Sequence, residues 1–403
     1  MTGRCKVWVT GLGVVSCLGI GAEAFWNALL CCENGIGPLD RFDLGNSAYT
    51  FGGQVSGMTP EPFLEAGGSM GAQFAVRAAK EALDDVPETE RKEMALILAT
   101  NFGPAEILEQ LIDEGDLEGA PIENPLPRGF YDWDVEYVAN RIGLGGERFD
   151  MSLSCSSGNA AFGHALELIR GGCAEMVLAG GYDSIQKTSW AGLSCLRVMA
   201  VDDDEPPLVR PFDANRSGTL FSEGAALLLL ESADHAKKRG AHALAELAGA
   251  GANNNAYHMT HADEEGKATG EVIRMAIEDS QIDDSEISHF NAHGTGTKLN
   301  DVIESRAIGR VFGDRTKSIP VNSLKGGLGH GMGAASAFEA VACVRSLQEN
   351  LIPPTANLET PDPECDLDLV RNEPREADLK AVVNNSAGIG GGNAAVLLKK
   401  AGD

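Results

Sequence analysis

Short apolar runs alternate along this chain with stretches whose apolar residues recur at helical spacing. The apolar runs predict buried strands at residues 6–18, 93–99, 174–181, 223–230, 244–252, 319–323, 381–385 and 396–399. The helical spacing predicts helices at residues 22–30, 72–83, 133–141, 159–170, 268–280, 303–312 and 334–347. The strands are apolar throughout, which is typical of a sheet covered by helices on both faces. This alternation predicts an α/β fold with mostly parallel strands.

Three stretches depart from the pattern. Residues 31–70 are irregular and glycine-rich, and residues 103–130 are expected to be a loop-rich insertion. Gly11 and Gly13 resemble part of a dinucleotide-binding turn that would end the first strand. Ser16 stands where the third glycine of that motif belongs, so the motif carries little weight.

The chain has 403 residues, more than one ordinary hydrophobic core contains. The succession of strands and helices begins again near residue 244. We therefore predict two units of similar size, residues 1–243 and residues 244–403. No internal sequence identity accompanies this repetition, so only the pattern of elements supports a duplication.

The formal net charge of −27 argues against nonspecific nucleic-acid binding, because the phosphate backbone would be repelled. No apolar run is long enough to span a membrane, and the N-terminus lacks a signal-peptide segment, so we expect a cytoplasmic protein. The nine cysteines form an odd number without metal-ligand spacing. The sequence thus predicts no disulfide framework, no metal and no cofactor.

Cys155 lies between a run of small residues and the helix predicted at residues 159–170. The thiol would therefore stand on a tight strand-to-helix turn, where Ser156, Ser157 and Gly158 leave room for a substrate. Because the N-terminus of a helix is its positive end, we expect a lowered thiol pKa and a nucleophilic cysteine. A buried cysteine in a seam of small residues is an equally good interpretation of this stretch alone.

Two histidines lie in glycine-rich loops, His293 in Asn-Ala-His-Gly-Thr-Gly-Thr and His330 in Gly-Gly-Leu-Gly-His-Gly-Met-Gly. Such loops let the backbone approach a ligand closely. Either histidine alone could be an ordinary polar loop residue. One cysteine and two histidines in three loops of small residues together indicate a catalytic site.

Six motifs, in this order and spacing, resemble those of the β-ketoacyl-acyl-carrier-protein synthases of the thiolase superfamily, most closely the synthase II type. They are Ser-Cys155-Ser-Ser-Gly, Pro-Phe-Asp213, Asn-Ala-Tyr-His258-Met-Thr, Asn-Ala-His293-Gly-Thr-Gly-Thr, Lys325-x4-His330-x2-Gly-Ala-Ala-x3-Glu339 and Asn385-Ser-x-Gly-x-Gly-Gly-x-Asn393. The resemblance covers essentially the whole chain. It implies a duplicated thiolase-like fold of five layers, αβαβα, and a decarboxylating Claisen condensation in fatty acid or type II polyketide biosynthesis.

The resemblance also implies which residues carry the chemistry. Cys155 would accept an acyl group as a thioester. A malonyl group on a carrier protein would then lose carbon dioxide, and His293 and His330, as neutral imidazoles, would donate hydrogen bonds to the resulting enolate. Lys325 would order the site electrostatically close to His330.

Supporting roles follow from the same resemblance. Glu339 would hold Lys325 or the local backbone, and the backbone N–H groups of Cys155 and Ile389 would form an oxyanion hole. The hydroxyls of Thr295 and Thr297 would bind the pantetheine arm. Residues of the acyl and pantetheine pocket would be His258, Thr260 and Asn393.

The chain departs from the family pattern at three places. The last glycine loop reads Ala387-Gly388-Ile389 where relatives commonly have Phe-Gly-Phe, and the second aromatic residue gates the cysteine in those relatives. Leu-Ser-Cys155 replaces the common Thr-Ala-Cys, and Asn255 replaces an acidic residue. We therefore expect a specialised synthase, for a polyene or another polyketide-like product.

The implied partner is an acyl carrier protein that delivers acyl and malonyl thioesters on phosphopantetheine, with the synthase as a homodimer or a paired heterodimer. Carrier proteins are acidic like this chain, so a local basic patch is required, and Arg77, Lys80 and Arg197 are its candidates. A halophile-like surface or a less acidic partner subunit is the alternative. Neither nucleic acid nor a membrane is an expected partner.

Three other functions explain fewer of these sequence features. A non-catalytic partner subunit resembling a chain-length factor would keep the fold but lose the nucleophile, whereas Cys155, His293 and His330 are all present. A cysteine hydrolase would use one histidine as a base and would need a path for water. A plain thiolase would need a second cysteine in a comparable loop, and the sequence has none so placed.

Overall fold

A computed structural model describes residues 4–61, 67–113, 129–201 and 206–402 of the chain. The strands are β1 Val7–Ser16, β2 Gly19–Ile20, β3 Gly37–Pro38, β4 Phe51–Gly52, β5 Ala95–Ala99, β6 Arg148–Met151, β7 Met176–Asp183, β8 Gly224–Ser232, β9 Ala245–Asn254, β10 Ile287–Asn291, β11 Pro320–Asn322, β12 Leu351–Ile352, β13 Asp368–Leu369, β14 Arg375–Glu376, β15 Ala381–Ala387 and β16 Gly392–Lys399. The helices are α1 Ala22–Leu30, α2 Met70–Ala82, α3 Glu88–Arg91, α4 Ala105–Asp113, α5 Tyr131–Ile142, α6 Ser157–Arg170, α7 Lys187–Cys195, α8 Ala233–Arg239, α9 Lys267–Ser280, α10 Lys298–Phe312, α11 Lys325–Leu328 and α12 Ala335–Glu349. Short 3₁₀ turns lie at Asp284–Glu286, Gly313–Lys317 and Met332–Ala334.

One twelve-stranded sheet runs through the molecule in the order β13-β11-β10-β15-β16-β9-β1-β8-β7-β5-β6, with β2 paired to β1. Its two halves have the same topology. In the first half, β1 to β8 and β8 to β7 are antiparallel, and β7 to β5 and β5 to β6 are parallel. In the second half, β9, β16, β15, β10 and β11 repeat these directions in the same order. The chain is therefore built from two copies of one unit, although the boundary between residues 243 and 244 stays a prediction.

Two helices, α6 and α12, fill the space between the half-sheets. They share one buried apolar cluster with Ile97 and Leu228 of the first half and Val396 and Leu398 of the second. The outer face of the first half is covered by α2 and α5, and that of the second by α9 and α10. Each half of the sheet thus buries both of its faces against helices. The layers follow one another as αβαβα, as the sequence predicted.

Small and polar residues hold the starts of the two central helices together. A Cβ atom on Gly158 of α6 would lie 2.8 Å from the backbone nitrogen of Ala337 in α12, so only glycine allows this approach. The backbone N–H of Asn159 donates to the Ser336 hydroxyl at 3.0 Å. From β15, the side-chain nitrogen of Asn384 donates to Asn159 Oδ1 and to the Ser336 carbonyl, both at 2.9 Å. The loops that precede α6 and α12 are therefore held side by side.

The structure corrects several predictions about individual elements. The strands are not mostly parallel, because the pairs at the centre of the sheet are antiparallel. Hydrophobic periodicity reports burial and not strand direction, so the sequence could not reveal this.

Part of the expected loop at residues 103–130 is helix α4, and residues 114–128 lie outside the described residues. Helix α10 begins at Lys298, five residues before the predicted start at 303.

The glycines of the first strand allow a helix to pack closely against it, and they do not form a dinucleotide-binding turn. Strand β1 continues through Gly11 and Gly13, with a register shift against β8 between Val9 and Gly11. A Cβ on Gly13 would lie 1.8 Å from the Ala78 carbonyl oxygen, and one on Gly11 would lie 2.1 Å from that of Ala82. Helix α2 therefore packs directly onto the backbone of β1.

Substituting Gly13 with alanine is expected to destabilise the fold by about 3 kcal/mol, because the methyl group would force α2 away from the sheet. Chemical denaturation of the two proteins measures this difference. Gly192→Ala is the matched control, since a Cβ there meets nothing within 4 Å. This control should leave stability unchanged or raise it slightly, because alanine favours helix.

Among the described residues, no helix combines the length and the apolar character needed to cross a membrane.

Candidate active site

Cys155 lies between β6 and α6, one residue before the cap of the helix. The preceding Ser154 has φ 52°, so the backbone turns sharply in a conformation that few residues other than glycine adopt. The Ser386 hydroxyl of β15 donates to the Cys155 carbonyl at 2.9 Å. The side chain of Cys155 is 6% exposed. The turn that carries Cys155 is thus anchored from the second half of the molecule.

Burial raises the pKa of the Cys155 thiol, which is opposite to the shift expected from its place at a helix start. The Ser154 hydroxyl, the backbone N–H of Ile389 and the more distant Lys325 ammonium each lower it, but less than burial raises it. The N–H groups of Ser156 and Ser157 donate to the carbonyls of Leu153 and Ser154, at 3.1 Å each. These donors at the start of α6 are occupied and do not point at the sulfur. The resting cysteine is therefore a thiol.

The last glycine loop lies directly against the nucleophile. A Cβ on Gly388 would lie 3.1 Å from the Cys155 nitrogen, so the two backbones are in contact. The next residue in this loop is Ile389, whose N–H reaches the sulfur and whose side chain is 37% exposed. The Ile389 N–H therefore lies beside the sulfur, where a backbone donor can stabilise an oxyanion that forms on a bound thioester.

His293 follows β10, and its imidazole contacts the buried Lys325. The ammonium of Lys325 donates to the His293 carbonyl at 2.5 Å and to Glu339 Oε1, and lies 3.4 Å from His293 Nδ1. The Ser386 hydroxyl oxygen lies 3.3 Å from the same Nδ1. Because an ammonium group can only donate, Nδ1 is assigned as an acceptor and Nε2 as the nitrogen that carries the ring proton. The predicted electrostatic effect of Lys325 on nearby His330 agrees with the lowered pKa of His330, and the direct contacts of Lys325 are to His293 and Glu339.

His330 lies in the second unit, in the loop after β11 and before α12. This loop corresponds to the Cys155 loop of the first unit, between β6 and α6. Its ring centroid is 5.3 Å from that of His293, with the planes at 84°. The backbone N–H of Met332 donates to His330 Nδ1 at 3.0 Å. An Nδ1 that accepts leaves the proton on Nε2. Both imidazoles therefore have an N–H group available on Nε2.

Both histidines are neutral near neutral pH. Burial lowers the pKa of His293 and of His330 well below the usual value, and the positive charge of Lys325 lowers each pKa further. Burial also raises the pKa of Glu339, to about 7, although the Lys325 ammonium opposes this shift. The positive charge of Lys325 opposes protonation of both imidazoles. They can therefore donate hydrogen bonds from a neutral ring and do not act as charged acids.

Glu304 of α10 is a site residue that the sequence analysis missed. Its two oxygens accept the backbone N–H groups of His293 and Gly294, at 2.8 Å each, and the side-chain nitrogen of Asn385 donates to Oε1 at 2.7 Å. This buried carboxylate fixes the His293 loop to α10 and β15. A signal existed, because Asp301 and Glu304 are three residues apart and share one helix face. The late predicted start of α10 concealed it.

The predicted pantetheine residues lie in two different settings. Thr295 and Thr297 are in the turn after His293, with their hydroxyl oxygens 2.9 Å apart. His258 and Thr260 are exposed on a loop whose Met259 carbonyl accepts the Gly390 N–H at 2.6 Å. That loop therefore packs on the glycine loop beside the nucleophile, so both sets border the site, and their contact with pantetheine stays a prediction.

Asn393 is placed differently from the other pocket candidates. It is buried, and its side-chain nitrogen donates to Asn253 Oδ1 at 2.9 Å and to the Gly391 carbonyl at 3.2 Å. Its amide joins β16 to β9, which is a framework contact. Nothing in this geometry links it to an acyl chain.

The three candidate carrier contacts are exposed. Arg77 and Lys80 lie three residues apart on one face of α2, whereas Arg197 follows α7 in a separate segment. The structure gives no contact that joins them into one patch. Among the described residues, no group of three or more His, Cys, Asp or Glu side chains is arranged to hold a metal ion.

Comparison with known protein families gives matches over both units. Residues 5–236 match the family described as beta-ketoacyl synthase, N-terminal domain, and residues 244–359 match beta-ketoacyl synthase, C-terminal domain. A 3-oxoacyl-[acyl-carrier-protein] synthase 2 of Synechocystis sp. is 34% identical, over 98% of this chain and 98% of its own length.

Two solved structures share the architecture. The ishigamide ketosynthase/chain length factor superposes with a TM-score of 0.90 at 34% identity, covering 99% of this chain and 100% of that one. A type II polyketide ketosynthase, in complex with its acyl-carrier protein and bound to the hexaketide, has the same TM-score of 0.90 at 32% identity, again covering 99% and 100%. The similarity extends over both halves of the sheet and all three loops of the site.

Proposed function

This chain belongs to the β-ketoacyl synthase family, and on that basis we propose that it condenses an acyl thioester with a malonyl group on an acyl carrier protein. The product is a β-ketoacyl carrier protein in fatty acid or type II polyketide biosynthesis. The observation that carries the proposal is a buried thiol close to two neutral imidazoles. The Ser386 hydroxyl donates to the Cys155 carbonyl and lies 3.3 Å from His293 Nδ1, and the His293 and His330 ring centroids are 5.3 Å apart.

In the first step, Cys155 takes the acyl group from its carrier. The sulfur attacks the thioester carbonyl, and the tetrahedral oxyanion is held by the N–H groups of Cys155 and Ile389. The carbon–sulfur bond to pantetheine then breaks, and the proton of the thiol passes to the departing sulfur. The raised thiol pKa makes deprotonation part of this step.

In the second step, the malonyl thioester loses carbon dioxide. The electron pair of the broken carbon–carbon bond passes to the thioester oxygen, and the enolate oxygen accepts hydrogen bonds from Nε2–H of His293 and His330. Donors that are already oriented need no reorganisation when this charge develops. Lys325 and Glu304 act as positioning residues, because they hold the His293 ring and loop.

In the third step, the enolate carbon attacks the thioester on Cys155. A carbon–carbon bond forms, the tetrahedral intermediate collapses, and the Cys155 sulfur leaves as a thiolate. This thiolate takes a proton from solvent, because its original proton left with the pantetheine sulfur in the first step. The exposed Ile389 side chain stands where relatives carry an aromatic gate. A smaller gate leaves more room beside the sulfur, which supports an unsaturated or otherwise polyketide-like acyl chain.

The test is mass spectrometry of the intact protein after incubation with acyl carriers of different chains, followed by addition of malonyl carrier. We expect an adduct on Cys155, its disappearance on malonyl addition, and the faster acylation with polyene chains. Equal rates with saturated chains would contradict the polyene specialisation only. Absence of any adduct would contradict the function itself.

The protein is proposed to work as a dimer, either with itself or with a related subunit. Strand β6 is an edge of the twelve-stranded sheet and pairs, within the described residues, with β5 alone. Its residues are only half-buried. An uncovered edge strand is a ready site for pairing with another chain. A chain-length-factor role for this chain itself is not favoured, because the cysteine and both histidines are present and grouped.

The cellular location is proposed to be the cytoplasm. All nine cysteines lie within the described residues, and all nine are free. Unpaired thiols in this number are typical of a reducing compartment.

The two half-reactions are expected to respond differently to pH. Decarboxylation requires neutral His293 and His330, and a depressed pKa keeps them neutral as pH falls, so its rate should stay level from about pH 8 to about pH 6. Acylation requires the Cys155 thiolate, and a raised pKa makes this rate increase with pH over the same range. Carbon dioxide release and adduct formation measure the two rates separately. A decarboxylation rate that falls by half near about pH 6.5 would indicate an ordinary, titrating histidine instead.

Charge reversal tests the carrier surface. Replacing Arg77, Lys80 and Arg197 with glutamate is expected to weaken carrier binding about tenfold, because an acidic carrier would lose its attraction. The matched control reverses three exposed lysines elsewhere, at positions 92, 238 and 380, and so changes the net charge equally. Equal weakening by both triple variants would assign the effect to net charge and not to a patch.

A further inference from the structure

Thr219 carries a buried hydroxyl that has no hydrogen-bond partner in the described part of the chain. The residue is 2% exposed, and its Oγ1 has no hydrogen-bond partner among the described residues. Its backbone is fully engaged, since its N–H donates to the Val198 carbonyl at 2.9 Å and its carbonyl accepts from Ala200 at 2.7 Å. A buried hydroxyl without a partner destabilises a fold, so its presence calls for an explanation.

The segment that carries Thr219 runs between the two histidine loops. On one side, the Leu220 carbonyl accepts the His330 N–H at 2.7 Å, and the Phe221 ring packs on the His330 ring with centroids 5.6 Å apart. On the other side, a Cβ placed on Gly296 would lie 2.9 Å from the Gly218 carbonyl oxygen, so this segment touches the turn that follows His293.

The side chain of Thr219 lies on the same face of its segment as the ring of Phe221. Residues 219 to 222 are extended, because Thr219, Phe221 and Ser222 each form a bridge with a neighbouring segment. In an extended chain, side chains two residues apart point to the same face, about 7 Å from one another. The side chains of Thr219 and Phe221 therefore point to the same side of the segment, and on that side the Phe221 ring packs on His330.

We propose that Thr219 Oγ1 donates a hydrogen bond to the carboxylate of the bound malonyl unit. This inference rests on the proposed function and names the group that recognises the extender substrate. The two imidazoles supply donors for the thioester oxygen, which leaves the carboxylate of the same unit without a protein donor. A carboxylate that enters a buried site needs hydrogen bonds of its own, and hydrogen bonds to a charged group are the stronger kind.

The contact acts on binding and not on the chemical step. The carboxylate exists only before carbon dioxide leaves, so a hydrogen bond to it stabilises the ground state and is lost in the reaction. Removing it should therefore raise KM for the malonyl carrier while kcat stays level or increases slightly. A residue that merely supports the fold would lower kcat instead.

The experiment is Thr219→Val, which replaces the hydroxyl by a methyl group of the same shape. We expect KM for malonyl carrier in carbon dioxide release to rise about tenfold. The rate of acylation of Cys155 should not change, because the acyl carrier has no carboxylate at this position. Thermal stability should be equal or higher, since an unsatisfied buried hydroxyl is removed. Thr219→Ser should keep the wild-type KM.

Ser346→Ala is the matched control, because Ser346 also has a buried hydroxyl without a partner but lies near the far end of α12. It should leave KM unchanged. An unchanged KM in Thr219→Val, or a lower kcat at unchanged KM, would overturn the proposal. If the wild-type protein releases no carbon dioxide from malonyl carrier, the proposed function itself fails, and this outcome is distinct from the other two.

Discussion

Replacing Cys155 with alanine is expected to abolish acylation and condensation while malonyl decarboxylation continues. The thiol is the group that lies against the glycine loop and the Ile389 N–H, so it is the side chain placed to take the acyl group. Loss of a nucleophile of this kind lowers turnover by at least about 10³-fold. The histidines are held by Lys325, Glu304 and Met332, none of which depends on the sulfur. Enolate stabilisation should therefore survive.

Intact-protein mass spectrometry and release of carbon dioxide measure the two activities on the same sample. Cys195→Ala is the control, since Cys195 is a free and exposed cysteine on α7. It should acylate and condense like the wild type. An acyl adduct on the Cys155→Ala protein would show that another residue is the nucleophile, and the proposed mechanism would then be wrong.

Replacing His330 with alanine is expected to have the opposite effect, so that acylation is kept and decarboxylation is lost. The variant should still form the acyl adduct on Cys155, but decarboxylation should fall by about 10²- to 10³-fold, the usual cost of losing one donor to a developing oxyanion. The reason is that Met332 N–H occupies Nδ1, so the ring has one function left, donation from Nε2. The same substitution at His293 should have a similar effect.

An asparagine tests whether donation is what matters at this position. His330→Asn retains an N–H donor and should recover part of the decarboxylation rate, whereas alanine should not. The control is His242→Ala, because His242 is exposed on the surface. Equal loss in the alanine and asparagine variants would show that the imidazole acts otherwise than as a donor. Loss of acylation in His330→Ala would indicate a general base and favour a hydrolase-like mechanism.

Much of the secondary structure could be predicted because it depends on neighbours in sequence. Burial of one face or of a whole strand leaves a periodic pattern, so helices such as α6 and α12 and strands such as β5 and β8 were found within a few residues. Candidates for the reacting residues could be proposed for a similar reason. Cys155, His293 and His330 each lie in a short run of small residues, and the order of these runs is specific enough to indicate the family.

The contacts among those runs could not be predicted, because they join residues far apart in the chain. The pairing of Lys325 with His293, the carboxylate of Glu304 under the His293 backbone and the close approach of α6 to α12 all depend on how the two half-sheets enclose the central helices. Strand direction in the middle of the sheet depends on the same packing. No local pattern encodes it, since a buried strand looks alike in either direction.

By itself, the sequence determined most of the helices and strands and indicated the family, whereas the division at residue 243 and the roles of the reacting groups stay predictions. Only the tertiary structure decided their protonation. Burial raises the pKa of Cys155 and lowers those of His293 and His330, and the amount of water excluded from a site depends on the whole fold. The expected thiolate was wrong for this reason. The unpaired hydroxyl of Thr219 was equally invisible, because a missing partner is a property of the surroundings and not of the residue.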